Sequence, residues 1–216
     1  MARRIESLMI AGPAGRLEAL LEEPEEVTPL GVALVCHPHP QHGGTMHTKV
    51  VYRIARGLRR AGLTVLRFNY RGVNLSEGTY DKGIGEELDA RACLALLRER
   101  YPLLPYTIAG FSFGSRIALR IARDPGPNRV IAVGFPTVYA DSSYLQPPYA
   151  TPRVFIHSTH DEFGPRTDFE KVMGDLDPTP EIHWVEAKDH FFADALDQFE
   201  EVVYNVAASS IEGPSK

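Results

Sequence analysis

The sequence is poor in cysteine and contains no long apolar run. Its 216 residues include two cysteines, Cys36 and Cys93, which is too few for a disulfide framework and indicates reduced thiols. No apolar run reaches the length of about 20 residues that crosses a bilayer. The start, MARRIESLMI, also lacks the apolar stretch of a signal peptide. These absences predict a cytoplasmic protein that does not bind membranes.

An excess of positive charge is also missing. Lys and Arg number 23 against 28 Asp and Glu, which gives a formal net charge of −5, so no nucleic-acid partner is expected. Internal repeats, low-complexity blocks and long linkers are absent. The length suits one core rather than two. We therefore expect a single domain over residues 1–208 and a polar C-terminal tail over 209–216, with no indication of the oligomeric state.

Extended apolar segments alternate with helical patterns along the chain. The first two, RRIESLMIA and RLEALLEE, predict a hairpin that turns at residues 12–15, although the second also suits a short helix. Helices are predicted around residues 50–58, 85–100, 113–123, 165–176 and 196–206. The remaining strands are GVALVCH, LTVLRFNY, YTIAGF, RVIAVGF, RVFIHS and EIHWVEA.

This alternation predicts an α/β fold. We expect a mostly parallel twisted sheet of about eight strands with helices on both faces. Ligands bind such sheets outside the carboxyl ends of the strands, so functional residues should lie in the loops there.

The segment GFSFGS, residues 110–115, places a serine between two glycines where a strand meets a helix. A residue at that turn takes a strained backbone conformation, and side chains at Gly110 and Gly114 would collide with neighbouring backbone. The turn lifts the hydroxyl above the sheet and presents the Phe113 N–H at the helix N-terminus to a reacting carbonyl. Ser112 is therefore a candidate nucleophile; the alternative is a solvated serine in a glycine-rich turn.

A serine nucleophile needs a base, and the base needs an orienting acid. In a sheet of this kind they follow in the order serine, acid, histidine, on loops after later strands. Asp161, in STHDEFGP, and His190, in KDHFF, follow two later strands and are the candidate acid and base.

Each partner has a rival. Asp141 follows the strand that ends at Phe135 and is an alternative acid, and His160 is an alternative base that precedes the acid in the chain. Asp189 is interpreted as a loop or capping residue, and two strand residues as structural histidines: His157 and His183.

The loop CHPHPQHGGTMH holds four of the eight histidines. Pro38 and Pro40 have no N–H, so His39 carries the one backbone donor in PHP, where a second oxyanion-hole donor is expected. Gly43 and Gly44 permit close backbone approach. In the competing interpretation, the loop binds zinc through His37, His39, His42 and His47. The spacing of these four residues matches no helical or zinc-knuckle pattern.

Two features bear on the substrate. Arg71, in NYRGVNLSEG, either pairs with an acid and fixes its loop or meets an anionic part of the substrate. The interval after the sixth strand, residues 136–151, is too short for a helical lid, so we expect an open site for short-chain or aromatic esters. Six aromatic residues are candidates for the lining or for the core: Phe111, Phe113, Tyr139, Tyr144, Phe163 and Phe191.

Five segments occur in the order known from one family: HPHPQHGGT, FNYRGVNLSEGTYDKGIGEELDA, GFSFGS, STHDEFGP and KDHFF. From about residue 30 to 195 the chain resembles a small serine α/β-hydrolase of the dienelactone-hydrolase-like, or predicted-hydrolase, branch. The resemblance implies Ser112 as nucleophile, Asp161 as acid and His190 as base, with the backbone N–H groups of His39 and Phe113 as the oxyanion hole. Dienelactone hydrolases carry cysteine in place of this serine, so dienelactone is not the expected substrate.

These inferences predict a serine hydrolase that cleaves small carboxylic esters or thioesters through an acyl-enzyme, without a metal or an organic cofactor. Alternatives from other classes are a non-catalytic ligand-binding member of the fold and a metallohydrolase that uses the histidine loop. The same three side chains would also serve perhydrolysis or transacylation.

Overall fold

A computed structural model describes residues 4–25, 27–124, 126–138 and 141–209. Its eight strands form one sheet in the order β1-β2-β4-β3-β5-β6-β7-β8. The strands are β1 (Ile5–Gly12), β2 (Gly15–Glu22), β3 (Gly31–Cys36), β4 (Leu63–Phe68), β5 (Tyr106–Phe111), β6 (Arg129–Val133), β7 (Arg153–Ser158) and β8 (Glu181–Val185). The predicted fold class, a sheet of about eight strands, is confirmed.

The sheet is antiparallel at one end and parallel elsewhere. The predicted hairpin is present, with Gly12 opposite Gly15, and its second segment is a strand rather than a short helix. β2 pairs antiparallel with β4, and each later pairing is parallel. The carboxyl ends of β3 to β8 therefore share one edge, where the loops of interest begin.

Helices cover both faces of the sheet, as predicted. They are α1 (Lys49–Arg60), α2 (Ile84–Arg100), α3 (Phe113–Ile121), α4 (Arg166–Gly174) and α5 (Leu196–Ser209). On one face α1 and α5 bury Ile54 and Phe199, and on the other α2, α3 and α4 bury Cys93, Ile117 and Phe169. All six residues of β3 are buried, because helices cover both of its sides.

The connection from β6 to β7 contains no helical lid in its described part. Its regular structure there is a single short 3-10 helix, Ser143–Leu145. Of the polar tail expected at 209–216, only Ser209, the last residue of α5, lies within the described residues. No helix in the described ranges is long and apolar enough to span a membrane.

Candidate active site

Ser112 joins β5 to α3 in a conformation that residues other than glycine rarely adopt, with φ of 56° and ψ of −119°. Its N–H donates to the Val133 carbonyl at 2.9 Å. Its own carbonyl accepts hydrogen bonds from the Ser115 N–H at 2.9 Å and the Ser115 hydroxyl at 2.6 Å. These bonds hold the strained turn and leave the half-buried Ser112 side chain on a cavity wall.

Glycine is required on both sides of this serine. A Cβ on Gly110 would lie 2.1 Å from the Gly114 carbonyl oxygen, and a Cβ on Gly114 would lie 2.3 Å from the carbonyl oxygen of Cys36. Both contacts are with backbone, which cannot rotate away as a side chain can. The first turn of α3 therefore packs directly on the end of β3, which brings the histidine-rich loop beside Ser112.

Asp161, after β7, and His190, after β8, are adjacent and buried. Asp161 Oδ2 lies 2.7 Å from His190 Nδ1, while Asp161 Oδ1 accepts the N–H groups of Phe163 and Gly164 at 2.9 and 3.0 Å. The His190 N–H donates to Glu162 Oε2 at 2.9 Å, which joins the two loops a second time. Because a carboxylate only accepts hydrogen bonds, Nδ1 carries the imidazole proton and Nε2 has a free lone pair.

The environment of Asp161 keeps its carboxyl group ionised. Burial by itself opposes ionisation, but the hydrogen bond and charge of His190, with His157 and the Phe163 N–H, lower the pKa of Asp161 below its ordinary value. An ionised Asp161 holds the His190 ring in one orientation and stabilises its protonated form.

His190 Nε2 is buried and has no hydrogen-bond partner among the described residues. His190 and Ser112 both line one cavity of about 360 Å³. The imidazole ring packs on Phe111 and Phe163, each with its ring centroid 4.8 Å away. A positioned ring with a free basic nitrogen, in the cavity that holds the serine, is suited to proton transfer.

The rival residues have other roles in the structure. Asp141 Oδ1 accepts the N–H and the hydroxyl of Ser143 at 3.0 and 2.7 Å, and the mostly exposed His160 ring bonds the Ala187 carbonyl at 2.9 Å. The other three make local contacts: Asp189 Oδ1 accepts the Phe191 and Ala193 N–H groups, His183 pairs with Glu181, and His157, in β7, bonds the Gly164 carbonyl.

His37 orients the peptide group that carries the His39 N–H. Its Nε2 accepts the Tyr70 N–H at 3.1 Å, so Nδ1 carries the proton and donates to the Pro38 carbonyl at 2.7 Å. That carbonyl and the His39 N–H belong to one planar peptide, so the bond sets the direction of the N–H. The His39 N–H donates no hydrogen bond within the described part of the chain. A Cβ on Gly44 would lie 2.2 Å from the Pro38 oxygen, so glycine is needed there as well.

The remaining histidines of this loop contact one another and the cavity wall. His39 Nδ1 accepts the Gln41 N–H at 3.2 Å, its Nε2 bonds the Tyr80 hydroxyl at 3.1 Å, and its ring stacks on His42. Gly43 follows with φ of 75°, a left-handed conformation that favours glycine. Within the described residues, no three His, Cys, Asp or Glu side chains are placed to bind a metal ion.

Arg71 pairs with an acid, the first of its two interpretations. It donates to Asp89 through Nη2 at 2.7 Å and through both Nε and its backbone N–H at 3.0 Å. The pair is buried and holds the loop after β4 against α2. Arg71 is not among the residues that line the cavity.

Of the six aromatic candidates, Phe113, Phe163 and Phe191 line the cavity. Phe111 is buried beneath His190, Tyr144 lies away from the lining, and Tyr139 is outside the described residues. Sequence reasoning missed several lining residues, including Tyr80, Lys82, Arg116 and Arg120. A signal existed for the two arginines, since they follow Ser112 by four and eight residues and so share one helix face.

Comparisons with known proteins agree with this architecture. A family model described as an alpha/beta hydrolase domain matches residues 33–208. An uncharacterized protein of Rickettsia prowazekii (strain Madrid E) is 34% identical over 202 residues, which span 89% of this chain and 84% of that protein.

Solved structures extend the likeness to nearly the whole chain. An alpha-beta serine hydrolase homologue from Coxiella burnetii is 33% identical with a TM-score of 0.88, over 93% of this chain and 96% of that one. A serine hydrolase described as lacking a lid, from Xanthomonas campestris, is 30% identical with a TM-score of 0.89, over 100% of this chain and 98% of that one. Because the family match covers most of the sequence, this protein belongs to the alpha/beta hydrolase domain family, in agreement with the resemblance carried by its motifs.

Proposed function

We propose that the protein is a serine hydrolase that cleaves small carboxylic esters or thioesters through an acyl-enzyme. The observation that carries this proposal is the buried Asp161–His190 pair, joined at 2.7 Å, whose Nε2 has no partner among the described residues and whose ring lines the same cavity as Ser112. Membership of a hydrolase family, with relatives described as serine hydrolases, supports it.

In the proposed first half-reaction, Ser112 Oγ attacks the substrate carbonyl carbon and its proton passes to His190 Nε2. Asp161 stabilises the imidazolium that forms. The carbonyl oxygen becomes negative and is held by the His39 and Phe113 N–H groups; Phe113 opens α3, so its N–H has no acceptor within the helix. His190 then protonates the leaving alcohol or thiol.

In the second half-reaction, water attacks the acyl group on Ser112. His190 Nε2 takes a proton from this water, the same N–H groups hold the oxyanion, and His190 returns the proton to Ser112 Oγ as the acid leaves. Each step uses side chains and peptide groups that the chain itself provides.

The cavity suits short-chain or aromatic acyl and alcohol groups. Its volume of about 360 Å³ is small, and its wall includes Phe113, Phe163 and Phe191. No lid covers it among the described residues of the β6–β7 connection.

The test is a panel of soluble esters, thioesters and lactones of graded acyl length. We expect Ser112→Ala and His190→Ala to lower kcat by about 10⁴-fold or more, because each removes a group that acts at the reacting atoms. A fluorophosphonate probe should label the wild type and not Ser112→Ala. Ser7→Ala, on an exposed position of β1, and His183→Ala, on β8, are matched controls that should keep the wild-type rate.

Two outcomes would overturn the proposal. A folded wild type that neither reacts with the probe nor cleaves any ester would favour a non-catalytic ligand-binding protein. Activity that is lost with a chelator but survives Ser112→Ala would favour a metallohydrolase.

A further inference from the structure

The cavity beside Ser112 has positive charge that the proposed chemistry does not use. Lys82, Arg116 and Arg120 line it, and its described lining includes no aspartate or glutamate. Ester cleavage as proposed needs no cation there, because His190 moves the proton and backbone N–H groups hold the oxyanion. Like charges gathered on one wall repel one another and are stabilised when an anion binds between them.

Two of the three cations lie at a fixed distance from the serine along α3. Arg116 and Arg120 follow Ser112 along α3, and at a rise of 1.5 Å per residue they stand about 6 and 12 Å beyond it along the helix axis. A Cβ on Gly83 would lie 3.6 Å from Arg120 Nη1 and from the Phe113 ring. The Arg120 guanidinium therefore lies beside Gly83, the neighbour of Lys82.

Both arginines on α3 also contact neutral groups of the protein. Arg116 Nη2 donates to the backbone carbonyl of Asp141 at 3.2 Å, and the Arg120 guanidinium stacks on the Tyr144 ring at 4.9 Å. The carboxylate that the structure places near both arginines is that of Asp141, which is exposed and already bonded by Ser143. The buried Glu86 carboxylate accepts the Gly83 N–H at 2.7 Å but does not line the cavity. Lys82, Arg116 and Arg120 therefore face the cavity without an acidic side chain in the described lining.

Apolar side chains lie on the His190 side of the cavity. Phe163 and Phe191 pack against the His190 ring, and Pro136 lines the same cavity. His190 has to reach the leaving oxygen, so the alcohol or thiol half of a substrate belongs on this side. The acyl half then extends along α3 toward the cations.

We infer that the cavity takes esters or thioesters whose acyl group ends in a carboxylate, which Arg116, Arg120 and Lys82 bind. This inference rests on the proposed function and adds the class of acyl group. Anionic acyl groups bind through charge-assisted hydrogen bonds, whereas neutral ones of equal length lack them.

The test compares the mono-4-nitrophenyl esters of adipic, pimelic and suberic acid with the same compounds capped as methyl esters. The wild type should show a kcat/KM about tenfold or more higher for the charged member of at least one pair, and added salt should reduce this ratio. Arg116→Gln, Arg120→Gln and Lys82→Gln should each lower the charged-to-neutral ratio, chiefly through KM. Lys82 is exposed, so its variant removes a charge without disturbing the core.

Arg100→Gln is the matched control, because it removes one positive charge at the far end of α2 from Gly83, about 24 Å along that helix. It should keep the wild-type ratio. Ser112-dependent cleavage of both esters with a ratio near one, unchanged in the three variants, would overturn the anionic site and leave the proposed function intact. Cleavage of both esters at the wild-type rate by Ser112→Ala would overturn the proposed function itself.

Discussion

At the scale of single residues, the hydrogen bonds of Asp161 show why an acid is needed at this position. One carboxylate oxygen accepts two backbone N–H groups and the other accepts the His190 Nδ1 proton, so both oxygens act as acceptors. A carboxylate meets that requirement with either oxygen, whereas an amide places a donor on one side.

Asp161→Asn should therefore lower kcat by about 10³- to 10⁴-fold, because the amide favours the wrong imidazole tautomer. Steady-state kinetics on a neutral soluble ester measure this loss. The same change at the rival acid, Asp141→Asn, should leave that rate unchanged. A normal rate in Asp161→Asn combined with a large loss in Asp141→Asn would reverse the assignment of the acid.

The buried, neutral His37 makes the free energy of unfolding depend on pH. Burial lowers the pKa of His37 from 6.5 to about 3, so at pH 5 the folded chain keeps it neutral while the unfolded chain protonates it. The unfolded state then binds more protons, so this residue makes the free energy of unfolding fall by about 1.4 kcal/mol per unit as pH drops below about 6.5.

His37→Gln should remove this contribution. Urea unfolding at pH 7 and pH 5 measures the free energy of unfolding of both proteins. The wild type minus the variant should be about 2 kcal/mol smaller at pH 5 than at pH 7. His47→Gln, at an exposed position of the same loop, is the control for the loss of one histidine. Parallel stability curves for the wild type and His37→Gln would contradict a neutral, buried His37.

At the scale of elements, the junction of β5 with α3 depends on close backbone contacts. α3 approaches the end of β3 so closely that a Cβ on Gly114 would lie 2.3 Å from the Cys36 oxygen and 2.5 Å from the His37 oxygen. Any side chain there must separate the helix from the strand. The same approach brings His39 and Phe113 together, with their ring centroids 5.1 Å apart.

Gly114→Ala should lower the free energy of unfolding by about 3 kcal/mol or more, through overpacking against backbone. Gly174→Ala is the matched control, because no atom lies within 4 Å of a Cβ at that position of α4. It should change stability by less than about 1 kcal/mol, in the stabilising direction. Chemical denaturation of both variants provides the measurement, and equal stabilities would contradict the contact.

At the scale of the whole molecule, the sheet places the cavity at its carboxyl edge, and the described part of the β6–β7 connection contains no helical lid. The formal net charge of −5 contrasts with the three cations that line the cavity. For the anionic acyl groups proposed above, this contrast would favour the cavity over the rest of the surface.

An open site should show no interfacial activation. The rate on a short-chain ester should follow a simple saturation curve through its solubility limit, and emulsions of long triglycerides should be poor substrates. Titrating substrate across that limit checks the prediction. A jump in rate at the limit, or a preference for emulsions, would show that a moving segment covers the cavity.

The positions of the strands and helices followed from the sequence, because apolar periodicity reflects which side of each element is covered. The strained turn at residues 110–114 could also be predicted, because the need for glycine on both sides of the serine has a local steric cause. The order of Asp161 and His190 after Ser112 allowed the two partners to be placed on the loops that the sheet brings together.

Contacts between distant parts of the chain could not be read in the same way. The sequence left Arg71 between two roles, and its bonds to Asp89 depend on how α2 packs beneath the loop after β4. The role of His37 could not be predicted either, because it depends on the N–H of Tyr70, just after the neighbouring strand β4. The cluster of Lys82 with the arginines of α3 could not be predicted, because it depends on how the turn at Lys82 packs against that helix.

The sequence by itself determined the fold class, the elements and the strained serine turn, because these depend on neighbours along the chain and on burial. The tertiary structure decided which acid meets His190, which peptide His37 orients and which charges line the cavity. Those choices depend on the order of strands in the sheet and on side chains within a few ångströms, and a one-dimensional pattern carries no such distances.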